Sequence, residues 1–489
     1  MNCRLERIIT TALVIFCFAS VPAYAASDPD RFDKLQETEW YGVYMQGAKI
    51  GYASTSLNKI GAPVSGWRID SEFILIANVM GKTDTLITRD SRLFQSPGGE
   101  LYSSKLVIYA GGGEISVEGK KEADEFIVET SVAGQSSIKA FPYPADYLDN
   151  LAFLRQYISS GKAAVGDSLN FSIFEPTPPM TGTMRQAAKI TSKDVFIFNG
   201  VATDVYTVDW TILEANIPGR TILDMEGREL EVTLGGGLLM KLETESLAKT
   251  LDSSYDLLAE NLIFPNKKID NPENLSLLKL EISGIDESDI LKLKSQSVIK
   301  NDSQNLSVVI KRPVLPDKIL GLPIQSSRLK PFLDPEPYIQ SDAEEIASLA
   351  REIMGGETNS WETARKINTW VFENIEKQFT PEISNALQTL HSKRGDCGEH
   401  AALAVALMRA AGIPARPVTG LVYWPPGDGF GYHAWIEVFV GEWMMMDPSW
   451  GEDIINPSHI ALTAGDLLDQ ISVLTRVIGR MKIEVTEAR

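Results

Sequence analysis

Cysteine is nearly absent from this sequence. Three occur in 489 residues, and two of them, Cys3 and Cys17, stand close to the start. Histidine is as scarce: four occur, His391, His400, His433 and His459, all in the last hundred residues. No Cys or His lies between Ser27 and Leu390, so that long region holds neither a soft metal ligand nor an imidazole base. Basic residues are outnumbered, with 46 Lys and Arg against 65 Asp and Glu and a formal charge of -19. Nucleic acid is thereby disfavoured as a partner, because no surplus of cations is available to displace phosphate counterions. Docking on anionic lipid is disfavoured on the same ground. Long apolar runs are missing too. The run IITTALVIFCFASV falls short of a bilayer span by about five residues or more.

That run has the layout of an export signal. Arg4 and Arg7 precede it, and Ala23-Tyr24-Ala25 follows as a small-x-small cleavage point. Residues 1–25 are therefore expected to be a signal peptide. The protein is expected to be exported, periplasmic or secreted, and the mature chain to have no integral membrane span. Cleavage would leave Cys397 as the only thiol, without a disulfide partner in a compartment where disulfides persist. A solitary thiol there is open to oxidation, so its retention points to chemistry. A small buried core cysteine is the plain alternative.

The chain reads as multidomain, with a β-rich N-terminal region followed by an α+β core. Residues 26–255 are β-rich: WYGVYMQGAKIGYASTSL, LYSSKLVIYA and TDVYTVDWTIL mass β-branched and aromatic residues between glycine turns. A twisted antiparallel sheet is expected there, with one helical stretch at YPADYLDNLAFLRQYISSG. Residues 256–312 read as a small β segment. Six prolines between Pro313 and Pro337 mark 313–337 as an extended linker. From 338 to 489 the period becomes helical, then strand-like again.

The chemistry gathers in that last part. RGDCGEHAALAVALMRAAGIPAR places Cys397 where a helix begins, and the orphan N–H groups and positive dipole end of such a site favour a thiolate. YHAWIEVFV and WMMMDPS read as two strands joined through Gly441-Glu442. They offer His433 as a base and Asp447 as the acceptor that orients it. A two-residue turn would put His433 and Asp447 on opposite faces of the sheet. A three-residue turn, Val440 to Glu442, pairs Phe439 with Trp443 and Asp447 with Trp435, and returns His433 to the face of Asp447. The loop PPGDGFG reads as a mobile lid. His400 is expected to make a structural hydrogen bond or to lie on the helix surface, and His391 and His459 to be surface or capping residues. Glu437 shares the predicted face of His433. Gln378, Trp361 and Trp370 are open candidates for a second oxyanion donor. No metal and no cofactor is expected; Asp428 alone is far short of a calcium cage.

GDCGEHAALAVALMRAAGIPAR followed by GYHAWIEVFVGEWMMMDPSWG resembles the core of the bacterial transglutaminase-like superfamily, over roughly residues 342–484. The resemblance implies a papain-like fold for this α+β core and a Cys-His-Asp triad of Cys397, His433 and Asp447. It implies a thiol enzyme, a cysteine peptidase or acyltransferase, that cleaves or transfers acyl groups of protein or cell-wall peptide amides through an acyl-enzyme. A non-catalytic scaffold protein of the cell envelope, working through the β-rich front, is the alternative from another class.

Overall fold

A computed structural model describes residues 38–489, apart from short stretches. The longest of these are 144–152, 176–181, 252–261, 379–384 and 466–472. The expected signal peptide lies outside the described residues. The described residues divide into two compact units, one before and one after residues 252–261.

Alternating burial builds the first unit. In Ala48–Ile60, Ala53, Thr55 and Leu57 turn inward while their neighbours are half-buried, the period of a strand with one covered face. The chain runs through β1 (Glu39–Met45), β2 (Ala48–Ile60), β3 (Gly66–Val79), β4 (Lys82–Gln95), β5 (Glu100–Ala110), β6 (Gly113–Glu122), β7 (Glu125–Val132) and β8 (Gln135–Pro142). It returns through β9 (Ser168–Glu175), β10 (Gly182–Phe198), β11 (Val201–Ile212), β12 (Ile217–Asp224), β13 (Glu229–Leu234) and β14 (Leu238–Glu243). Among the described residues these form one antiparallel sheet, in the order β8 to β1 and then β14 to β9. The sheet curls on itself: Phe126 of β7 meets Phe174 of β9 edge-on at 5.4 Å, and buried Arg92 of β4 reaches Glu175 of β9 at 3.3 Å. Of the expected helical stretch, α1 spans Phe153–Ser159. A short α2 (Glu245–Ala248) is capped by Thr244.

Among its described residues the second unit holds two four-stranded sheets. In the first, β15 (Leu277–Ser283), β16 (Gln296–Lys300) and β17 (Leu306–Lys311) are joined by the final strand, which runs Lys482–Ala488, beside β15. Residues 256–312 are thus completed by the end of the chain. Leu278, Leu280 and Val308 share a core with Leu421, Tyr423 and Phe430 of the other sheet.

Four helices and that other sheet frame the site. They are α3 (Glu344–Met354), α4 (Ser360–Asn374), α5 (Ala386–Ser392) and α6 (Cys397–Ala410). A short parallel pair, β18 (Glu376–Lys377) and β19 (Arg394–Gly395), lies just ahead of α6. The sheet is β20 (Ala415–Trp424), β21 (Gly429–Phe439), β22 (Trp443–Met446) and β23 (His459–Ala464), in the order β22-β21-β20-β23. Leu403, Val405, Leu407 and Met408 of α6 are fully buried, each contributing about 1.5–3 kcal/mol of hydrophobic stabilisation. They bury Ala434, Ile436 and Val438 of β21 in the same core.

Two expected loops have other roles. Residues 313–336 are not extended throughout, since Lys330–Phe332 forms a 3₁₀ turn, and they bind along this core. Leu320 N–H donates to Val440, Leu322 N–H to Thr358 and Ile324 N–H to Gly412. Arg409, buried in α6, donates to Asp334 O and Glu336 Oε1. The PPGDGFG loop, expected as a lid, is pinned. Ile263 and Phe430 exchange both backbone hydrogen bonds, at 3.0 and 2.8 Å, and Lys268 pairs with Asp428. A Cβ on Gly427 would lie 2.4 Å from Trp424 Cε3 and 2.9 Å from Leu262 Cδ1, so glycine there admits the Trp424 ring and the passing segment.

Candidate active site

Local sequence fixes where α6 begins. Asp396 is its N-cap, accepting from Gly398 N–H at 2.8 Å, and Glu399 reaches back to Asp396 N–H at 2.8 Å. This reciprocal capping box makes Cys397 the first helical residue. Its side chain is buried. The next turn is tied down by His400, which is fully buried and donates through Nδ1 to Asp396 O at 2.6 Å. Burial pushes the His400 imidazole below its ordinary value, against the opposing pull of its bonds to Asp396 and Ile375. Its role is the structural one expected. His391 is exposed and pairs with Glu345.

The hairpin has the three-residue turn: Phe439 pairs with Trp443 and Ile436 with Met446. Continuing that register by one residue sets Asp447 opposite Trp435, hence on the face of His433. The two side chains meet there, with His433 Nε2 donating to Asp447 Oδ2 at 2.7 Å and both residues fully buried. Among the described residues β22 pairs with Ile436–Phe439, and Ile263 bridges Phe430. His433 lies on the stretch of β21 between them.

Asp447 is heavily solvated by protein. Its Oδ1 accepts from Ser449 N–H at 2.8 Å, Ser449 Oγ at 2.7 Å and Trp450 N–H at 3.0 Å. Burial alone would raise its carboxyl, but the charges and hydrogen bonds of His433 and His459 override it and hold the group well below the carboxylate range. Lys377 and His400 also feel this charge.

His459 was not expected here. It is buried, with Nε2 3.4 Å from Asp447 Oδ2, and its ring meets Trp435 edge-on at 5.1 Å. His433 in turn stacks on Trp435 at 6.0 Å and meets Trp450 at 5.2 Å. Sequence reasoning missed His459 because a turn-rich segment separates it from Asp447, and no spacing rule spans such a segment. His433, Asp447 and His459 also form a metal-type donor set. Tetrahedral coordination by such ligands needs donor atoms about 3.3 Å apart, and the 2.7 Å contact of His433 with Asp447 is a direct hydrogen bond instead.

The remaining candidates sort by packing. Trp361 belongs to the core under α6, and Trp370 carries Lys393 over its ring at 4.6 Å. Gln378 N–H donates to Gly395 O at 3.1 Å, which sets Gln378 beside the segment leading into Cys397. Glu437 pairs with Arg416 at 2.7 Å.

A helix headed by Cys397 packs on an antiparallel sheet that carries a buried His–Asp pair, and together they make an α+β core. Residues 347–448 match the family model of the Transglutaminase-like superfamily, and the chain carries a domain of that superfamily there. An uncharacterized protein of Mycobacterium leprae (strain TN) is 36% identical over 73 residues, 14% of this chain and 26% of that protein. The chain thus matches about a quarter of that relative's length. Among solved structures, a candidate cysteine protease from Cytophaga hutchinsonii is similar at 20% identity and a TM-score of 0.33, over 44% of this chain and 89% of that one. A β-barrel-like protein from Brucella abortus, from a domain family of unknown function, is similar at 11% identity and a TM-score of 0.31, over 42% and 95%.

Proposed function

We propose that this chain is an exported thiol enzyme of transglutaminase-like type, working through Cys397, His433 and Asp447. The observation that carries the reading is the buried 2.7 Å contact of His433 Nε2 with Asp447 Oδ2. It turns Nδ1 into the ring atom available to take the thiol proton. Cys397 at the first position of α6 adds the helix-start field that favours negative sulfur.

In this mechanism Nδ1 of His433 accepts the proton of Cys397, and the thiolate attacks an amide carbonyl. The sulfur–carbon bond forms as the carbonyl π pair moves to oxygen, where the Cys397 N–H donates. Gln378 is the candidate second donor. The tetrahedral centre collapses, the amine departs with the proton from His433, and an acyl-enzyme remains. Water or a second amine then takes the acyl group, giving hydrolysis or transfer. Protein and cell-wall peptides of a periplasmic or extracellular space are the substrate class proposed.

Iodoacetamide labelling followed by peptide mass mapping tests the first step. Cys397 should alkylate at neutral pH about tenfold or more faster than a free model thiol, and Cys397→Ala should abolish capture of an acyl adduct from activated peptide esters. Labelling no faster than a model thiol would remove the basis of the proposal.

A further inference from the structure

We infer that His459 is a positioning residue of this site: a second imidazole that braces Asp447 and thereby fixes the ring of His433. The inference deepens the proposed function and rests on it. Asp447 Oδ1 is occupied by three donors from the Ser449–Trp450 turn, so its Oδ2 is the oxygen presented to the rings. Two imidazole nitrogens converge on that atom, His433 Nε2 at 2.7 Å and His459 Nε2 at 3.4 Å. An ionised carboxylate only accepts, so the ring nitrogen of His459 facing it carries the hydrogen. The His459 backbone N–H donates to Asn456 O at 3.3 Å, which holds the residue at the start of its strand. The Asn456 side chain in turn bonds Glu452 and Ser458, anchoring the turn from which His459 departs.

Without the second donor, Oδ2 keeps a single partner, and the carboxylate can rotate about the Oδ1 anchor and leave His433. Four rings pack together here, those of His433, His459, Trp435 and Trp450. His433 and His459 lie 6.0 Å apart, and Trp450 stands 5.2 and 5.6 Å from them. A role in ring packing alone is therefore the competing account, and the test separates the two. His459→Phe keeps a flat ring and loses the donor. His459→Gln loses the ring but places an amide N–H where Nε2 stood.

Two readouts on the full chain decide. In the first, the rate of Cys397 alkylation by iodoacetamide is followed from pH 5 to 9. His459→Phe should lower the neutral-pH rate about tenfold and move the profile toward that of a free thiol, while His459→Gln stays within about threefold of the parent. The second does not depend on thiol chemistry. In a Cys397→Ala background, the downfield proton resonance of the His433 Nε2–H···Asp447 bond is followed by NMR. It should persist with Gln at position 459 and broaden away with Phe. Retention of both signals in His459→Phe, or equal loss in both variants, overturns the inference in favour of packing. If the parent thiol proves unactivated, the proposed function fails while the NMR comparison still decides the role of His459.

Discussion

Replacing Asp447 by Asn and by Ala should have opposite consequences for reaction and for stability. The three donors at Oδ1, Ser449 N–H, Ser449 Oγ and Trp450 N–H, require an acceptor. An Asn side chain must therefore keep its oxygen there and place its NH2 where Oδ2 stood. That NH2 would face His433 Nε2, which must then become the bare nitrogen, and the proton moves to Nδ1. The ring atom that should receive the thiol proton is already occupied. The equivalent tautomer fault in serine triads costs about 10⁴ in rate, and alkylation of Cys397 at pH 7 should fall by about 10²-fold or more. Folding should be nearly preserved. Asp447→Ala instead strips two buried backbone N–H groups and two rings of their acceptor. Even at the low figure of about 1 kcal/mol for each unsatisfied donor, the loss is about 4 kcal/mol, or roughly 10 °C in melting temperature for a unit of this size. Alkylation kinetics and thermal unfolding of both variants check this. Asn variants reacting within threefold of the parent, or Asn and Ala variants melting together, would refute the hydrogen-bond argument.

Further expectations concern both units. Burial pushes the Glu229 carboxyl up to about 8, against the opposing pull of Arg155 and with a further push from Glu39. Unfolding then releases its proton between its ordinary 4.5 and 8, so its contribution to stability is greatest below that window and falls as pH rises through it. Glu229→Gln should therefore raise the melting temperature of the first unit at pH 8.5 relative to pH 5, by the equivalent of about 2 kcal/mol after allowing for its half-buried side chain. Gly420 stands opposite His433 in the strand pairing, and a Cβ there would lie 1.9 Å from Ile460 O and 2.7 Å from Trp435 Cη2. Gly420→Ala should cost about 3 kcal/mol in thermal unfolding and slow alkylation of Cys397 by displacing β23 and Trp435. Arg409→Ala removes the donor to Asp334 O, Glu336 Oε1 and Ala415 O. Limited proteolysis should then cut within 313–337 at protease levels that leave the parent intact.

What could be read locally was read. The start of α6 is written in Asp396 and Glu399, one residue before and two after Cys397, because a capping box needs only near neighbours. The meeting of His433 with Asp447 follows from strand alternation once the turn length is chosen. Contacts over long sequence separation were not legible. Nothing in Leu277–Ser283 announces that its partner is Lys482–Ala488, a strand about 200 residues away. The prolines of 313–337 suggest an extended backbone but give away neither the 3₁₀ turn at Lys330–Phe332 nor the binding of the segment, and glycines at 427 and 429 serve a turn or a close approach equally well. His459 was invisible for a related reason: its place depends on the path of the 448–458 turns, which hydrogen bonds to Glu452 and Asn456 determine.

The turn that aligns His433 with Asp447 is itself held from outside the hairpin. Gly441 has φ +129°, a conformation open to glycine, and a Cβ on it would stand 2.4 Å from Lys318 O. Leu320 N–H donates to the Val440 carbonyl at 3.0 Å, and Ser360 N–H donates to Leu320 O at 3.1 Å. The proline-rich segment therefore clamps the turn to the start of α4. Strand register has a period of two, so a one-residue slip at this turn would carry Asp447 to the far face of the sheet. The segment that looks like a passive connection thus fixes, through one glycine and two backbone hydrogen bonds, the face on which the carboxylate meets the imidazole.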